Sequence, residues 1–170
     1  MFKKILLILS ALTLIVGCKT MQVYESPQNE ETSKITVNRD MEPFLLASLT
    51  TSIFKLAEQR ACGGNLNLEE DKQFIRLNKG NPLISNINES GVNVQPHEPL
   101  ILRVQTNSGV DLGCSRSVEF TPDSNKNYEI KLSGQVNFRP YECSVELWST
   151  EKATNLIKQE EFEQYYDCSS

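Results

Sequence analysis

Histidine is almost missing from this chain: His97 is the single one in 170 residues, and it stands in Pro96-His97-Glu98-Pro99, a stretch that reads as a solvated turn. A Ser-His-Asp triad would have to use it, yet no Gly-x-Ser-x-Gly elbow exists to carry a nucleophile. Gly-x-x-x-x-Gly-Lys and Gly-x-Gly-x-x-Gly are also missing, and with them the usual phosphate and dinucleotide loops. There is no Cys-x-x-Cys, so thiol exchange and a zinc ribbon both lack their motif. A basic surplus is lacking too: 17 Lys and Arg face 22 Asp and Glu, a net charge of -5, which argues against nucleic acid and against a polybasic hold on lipid surfaces. No internal repeat occurs. These absences leave no catalytic residue, no metal ligand set and no cofactor to assign, and the chain reads as a non-enzyme.

The longest apolar run, Ile5 to Val16, follows Lys3-Lys4 and closes on Gly17-Cys18. It is too short for a membrane span, which needs roughly 20 apolar residues, and has the layout of a signal peptide. The tetrad Ile15-Val16-Gly17-Cys18 resembles the lipobox of bacterial lipoproteins, with an aliphatic residue three places before the cysteine and a small one directly before it. That resemblance covers the leader only. It implies diacylation of the Cys18 sulfur, cleavage before Cys18 and acylation of the new amino group. Two or more acyl chains, at about 0.8 kcal/mol per buried methylene, make attachment durable. Lys19 stands where an aspartate would signal inner-membrane retention in the enterobacterial sorting pattern, so the resemblance points to an outer membrane in a diderm.

Cleavage there would remove residues 1–17 and two lysines, leaving 153 residues at a net charge near -7. That length suits one domain. Cys62, Cys114, Cys143 and Cys168 remain, an even number in an exported chain, and read as two disulfides. Residues 18–33 form the acylated cysteine and a polar, acidic tract, the composition of a flexible tether reaching roughly 20 Å. Residues 34–170 are expected to fold as a single disulfide-stabilised unit.

Within that unit Ile35-Thr36-Val37 reads as a first strand. Leu45, Leu49, Ile53 and Leu56 recur at helical spacing, with Gly63-Gly64 as a stop, and predict an amphipathic helix over Phe44 to Ala61. Thr50-Thr51 runs against it, since β-branched residues favour strands. After the acidic loop Glu69-Glu70-Asp71, short strands are predicted at Phe74 to Leu77, Val92 to Gln95 and Leu100 to Gln105. Leu100, Leu102 and Val104 should face the core, with Arg103 and Gln105 on the other side.

Three parities follow: Cys114, Val118 and Phe120; then Tyr128, Ile130 and Leu132; then Cys143, Val145 and Leu147. In a flat meander the outer two of three strands lie about 9.6 Å apart. A disulfide wants its Cα atoms within about 7 Å, so a Cys114–Cys143 bond requires the third strand to cross to a facing sheet or to add beside the first. That pairing is favoured, with Cys62–Cys168 as the second bridge; the sequential pattern, Cys62–Cys114 and Cys143–Cys168, stays open. The layout of Cys strand, Phe-Thr-Pro, polar turn, Tyr-led strand and Cys-Ser-Val strand is similar to one in uncharacterised exported bacterial lipoproteins, and implies no activity. A tail from Ser149 or Thr150 is predicted to form a short C-terminal helix with a terminal strand close behind.

The expected fold is mainly β, sandwich-like α+β: an antiparallel domain with one amphipathic helix after the first strand. The expected work is binding or scaffolding on the periplasmic face of a bacterial envelope, with the membrane held through lipid and an envelope protein as partner. Inhibition or assembly of that protein, or capture of a glycan or small ligand by Tyr128, Tyr141 and Trp148, are the alternatives. The runs Glu69-Glu70-Asp71 and Glu160-Glu161 with Glu163 read as solvated faces rather than calcium sites.

Overall fold

Alternating apolar residues dominate the chain after residue 33, and in the computed structural model they form strands throughout. The structure describes residues 20–28, 31–41, 48–58, 65–108, 112–135 and 142–165. Eleven strands occur there and no helix: β1 Gln22–Val23, β2 Ser33–Asp40, β3 Leu49–Lys55, β4 Lys72–Lys79, β5 Val92–Val94, β6 Leu100–Asn107, β7 Leu112–Phe120, β8 Lys126–Gln135, β9 Glu142–Glu151, β10 Ile157–Glu160 and β11 Glu163–Tyr165. One sheet has the order β1-β4-β3-β6-β7-β11 and the other β10-β9-β8-β2-β5. Ile35, Val92, Ile130, Leu132 and Leu147 of the second sheet share one buried cluster with Ile53, Phe74, Leu102, Val104 and Val118 of the first. The two sheets therefore pack face to face as a sandwich.

Both sheets are mixed, which corrects the purely antiparallel expectation. β2 runs parallel to β8 from Ile35↔Tyr128 to Asp40↔Ser133, and β1 runs parallel to β4. A parallel neighbour needs a long crossover. Here the chain between β2 and β8 builds most of the first sheet before it returns, so the partner strand lies some ninety residues on in sequence.

The predicted helix over Phe44 to Ala61 is overturned where it is described: Leu49–Lys55 is β3, hydrogen-bonded between β4 and β6. Residues four apart share a face in a strand as well as in a helix, so Leu49 and Ile53 fit both periods. Thr51 separates them: it is buried on the same face, its hydroxyl 3.3 Å from that of Thr106. The β-branched run wins because each of its side chains has a cross-strand neighbour. Residues 42–47 and 59–64 lie outside the described residues.

The predicted C-terminal helix is likewise a hairpin. Ser149 is a buried strand residue rather than a cap, and β10 folds back on β9 from Ile157↔Thr150 to Glu160↔Leu147. Asn155, at φ 57°, supplies the left-handed residue of the turn. β11 then crosses to the far sheet and pairs with β7. Within the tract read as a tether, Gln22 and Val23 pair with Lys72 and Gln73, and the Tyr24 ring packs 5.0 Å from that of Phe74.

The three parities between Cys114 and Leu147 hold: Cys114, Val118, Tyr128, Ile130, Leu132, Val145 and Leu147 are buried. Cys114 of β7 is bonded to Cys143 of β9, Cα to Cα 6.0 Å, across the two sheets. This excludes the sequential pattern; Cys62 and Cys168 lie outside the described residues. Arg39 adds a polar stitch between the layers. From β2 its Nη1 donates to the Leu49 and Leu77 carbonyls at 3.1 and 3.2 Å and to the Thr51 hydroxyl at 3.4 Å. Arg103 faces away from Leu102 and Val104 as expected, yet it is only 6% exposed.

Candidate functional site

The residues singled out for chemistry do not converge. His97 is exposed at φ 65° in a turn, its backbone N–H donating to the Pro122 carbonyl at 2.8 Å, and its ring bonds no described residue. Tyr128 is core: burial pushes its phenol up, and its Oη accepts the Asp123 N–H at 2.9 Å. Trp148 lies half-buried on β9, with Lys131 Nζ 4.0 Å above its ring and its Nε1 donating to Glu146 at 2.8 Å. A sugar would have to displace that ammonium to stack there. Tyr141 and Cys18 lie outside the described residues.

The two acidic runs are not simply solvated. Asp71 is fully buried and fastens a loop: Oδ1 accepts the Ala57 N–H at 3.1 Å and Oδ2 the Asn67 N–H at 2.7 Å. Glu160 of β10 accepts Lys126 Nζ and the Ser149 hydroxyl, each at 2.6 Å, with Lys158 Nζ 3.7 Å from its other oxygen. The Lys126 and Ser149 bonds hold its carboxyl below the usual 4.5, and the same contact raises Lys126. Glu161 and Glu163 line the open cleft beside it with Glu119 and Asp123. No group of three potential metal ligands forms among the described residues.

Two features were not read from the sequence. The first is an exposed apolar edge: among the described residues β10 pairs only with β9 and ends the second sheet, with Ile157 of β10 and Leu156 just before it 64% and 60% exposed. Those residues fall in the tail predicted to form a short helix; the turn residues Thr154-Asn155 before them are the available signal. The second is an open cleft of about 880 Å³ lined by Gln22, Tyr24, Glu25, Lys55, Leu56 and Lys72. Lys55 and Lys72 stand directly opposite in the β3–β4 ladder. Lys55 Nζ lies 5.2 Å from the centre of the Tyr24 ring, and Lys72 Nζ donates to Gln22 Oε1 at 3.2 Å. Burial, and next Glu98, raise the Tyr24 phenol. Their pairing depends on strand register, which no local motif announces.

A scan against protein-family models finds none that matches this chain, and searches of curated proteins and of solved structures find no match.

Proposed function

We propose that this chain is a lipoprotein of a bacterial envelope, anchored through acylated Cys18 and facing the periplasm from an outer membrane, whose β-sandwich is a non-catalytic module that docks an envelope protein. The partner contributes an extended segment that adds to the open side of β10. One observation carries this reading: an edge strand that opens on Ile157, with Leu156 just before it, both well over half exposed. Sheet edges invite strand addition; Lys158, exposed on the same strand, is a charge that opposes it unless the incoming segment places an acid opposite. A glycan reading has less support, since the Trp148 ring lies under Lys131 at 4.0 Å. An enzyme reading would require a base other than exposed His97.

A photo-crosslinking residue at position 157, in cells carrying the full chain, is expected to give one discrete adduct. The same residue at Leu83, the 92% exposed apolar side chain of a different loop, is expected to give none. Equal, diffuse labelling from both positions would remove the docking role. Anchorage is tested separately: Cys18→Ala should lose the acyl mass and leave the membrane fraction.

A further inference from the structure

The cleft beside β1 holds a like-charge pair in a chain whose acids outnumber its bases, 22 to 17. Lys55 and Lys72 are cross-strand partners, an arrangement that opposes pairing unless something lies between the two charges. Among the described residues neither has a carboxylate at ion-pair distance: one ammonium rests over Tyr24, and the other donates to the neutral Gln22 amide oxygen. Glu25 and Glu70 line the same cleft, and Leu56 gives it an apolar wall. Both charge signs and an aromatic face are thus presented together.

The position of this cleft is set by β1. Gln22 and Val23 are held against Lys72 and Gln73, and the Tyr24 N–H donates to the Gln73 carbonyl at 2.9 Å. Cys18 is four residues before Gln22, a reach of at most about 14 Å of extended chain. With Cys18 acylated, the cleft lies at the depth of the lipid headgroups and not a tether's length above them.

From this, and resting on the anchorage proposed above, we infer that the cleft seats a zwitterionic phospholipid headgroup, its phosphate between Lys55 and Lys72 and its ammonium toward Glu25 and Glu70. The phosphate relieves the lysine pair, and the ammonium meets carboxylates. The site orients the sandwich on the bilayer that carries its own anchor. A phosphate ester free in solution offers the same chemistry, and the test separates the two sources.

Full-length acylated protein would be labelled with a membrane-impermeant amine reagent and read lysine by lysine by mass spectrometry, in phosphatidylcholine vesicles and in a maltoside detergent that lacks phosphate. Lys55 and Lys72 are expected to react at least about threefold more slowly in vesicles, while Lys158, whose side chain is 69% exposed on β10, is unchanged. Unchanged rates at Lys55 and Lys72, or an equal fall at Lys158, in chains whose mass shows acylation, would overturn the site and leave the anchor standing. Equal protection by free phosphocholine in detergent would overturn the membrane source. A chain with unmodified Cys18 that stays out of the vesicles would overturn the anchorage, and the headgroup placement with it. In detergent, Lys72→Gln should raise Tm by about 1 to 2 °C as the repulsion is relieved; a fall would remove the premise.

Discussion

At Glu160 one carboxylate oxygen takes a donor from each of two neighbouring strands, Lys126 of β8 and Ser149 of β9. Its lowered pKa makes the contribution to stability full above the ordinary 4.5 and lost as pH falls through the lower, folded value. Raised Lys126 sets the upper side: its share is full below 10.5 and lost as pH climbs through the folded value above it. Glu160→Gln should therefore cost about 1 kcal/mol at pH 7, the pair being partly open to solvent, and converge on wild type in acid. Urea unfolding across pH 3 to 7 measures this. Gly91 offers a second test. At φ 100° its missing Cβ would come 2.6 Å from the Ile35 carbonyl oxygen, backbone that cannot swing away. Gly91→Ala should destabilise by about 2 kcal/mol, read from the urea midpoint. Asp71 marks where residue-level reading stops: an acidic triplet cannot announce that its third member will be buried on two backbone N–H groups.

Among the elements, β7 and β9 are held by the one covalent bond between the layers that the described residues show, Cys114–Cys143, with a sequence separation of 29. Loop-closure entropy for a ring of that size predicts that Cys114→Ser with Cys143→Ser lowers stability by about 3 to 4 kcal/mol, seen as a lower Tm than the oxidised wild type. On β10, Ile157→Asp should move stability by no more than about 0.5 kcal/mol, because the side chain is exposed, yet abolish the adduct formed by a photo-crosslinking residue placed at exposed Gln159 of the same strand. The strands at Val92, Leu100, Cys114, Tyr128 and Cys143 were legible because their inner apolar residues alternate, and the one at Phe74 because Phe74 and Ile75 are both apolar between polar turns. β3 was not: Leu49, Ile53 and the four-residue spacing satisfy two periods, and Thr51, the residue that decides, is polar and finds its partner fifty-five positions away. β10 was misread for a related reason, since Leu156 and Ile157 look like core and are held outside by the turn before them.

For the whole molecule, the proposed headgroup site and the proposed docking edge fall at different places, the cleft by β1 at the rim of the first sheet and β10 at the rim of the second. Cys18→Ala should free the protein from membranes without lowering its Tm, since the sandwich core draws nothing from residues before Gln22 among those described; a co-sedimentation assay and a melting curve check the two halves. By itself the sequence determined the β character and the inward parity of three strands, because alternation is a local constraint, and bond length limited a Cys114–Cys143 bridge to strands on facing sheets or side by side. Which strands became neighbours, that β2 would lie parallel to β8, that two lysines would meet across a ladder and that β10 would be left open, only the tertiary structure decided. Register and sheet order are settled by the joint burial of residues tens of positions apart, and no stretch of chain carries that information alone.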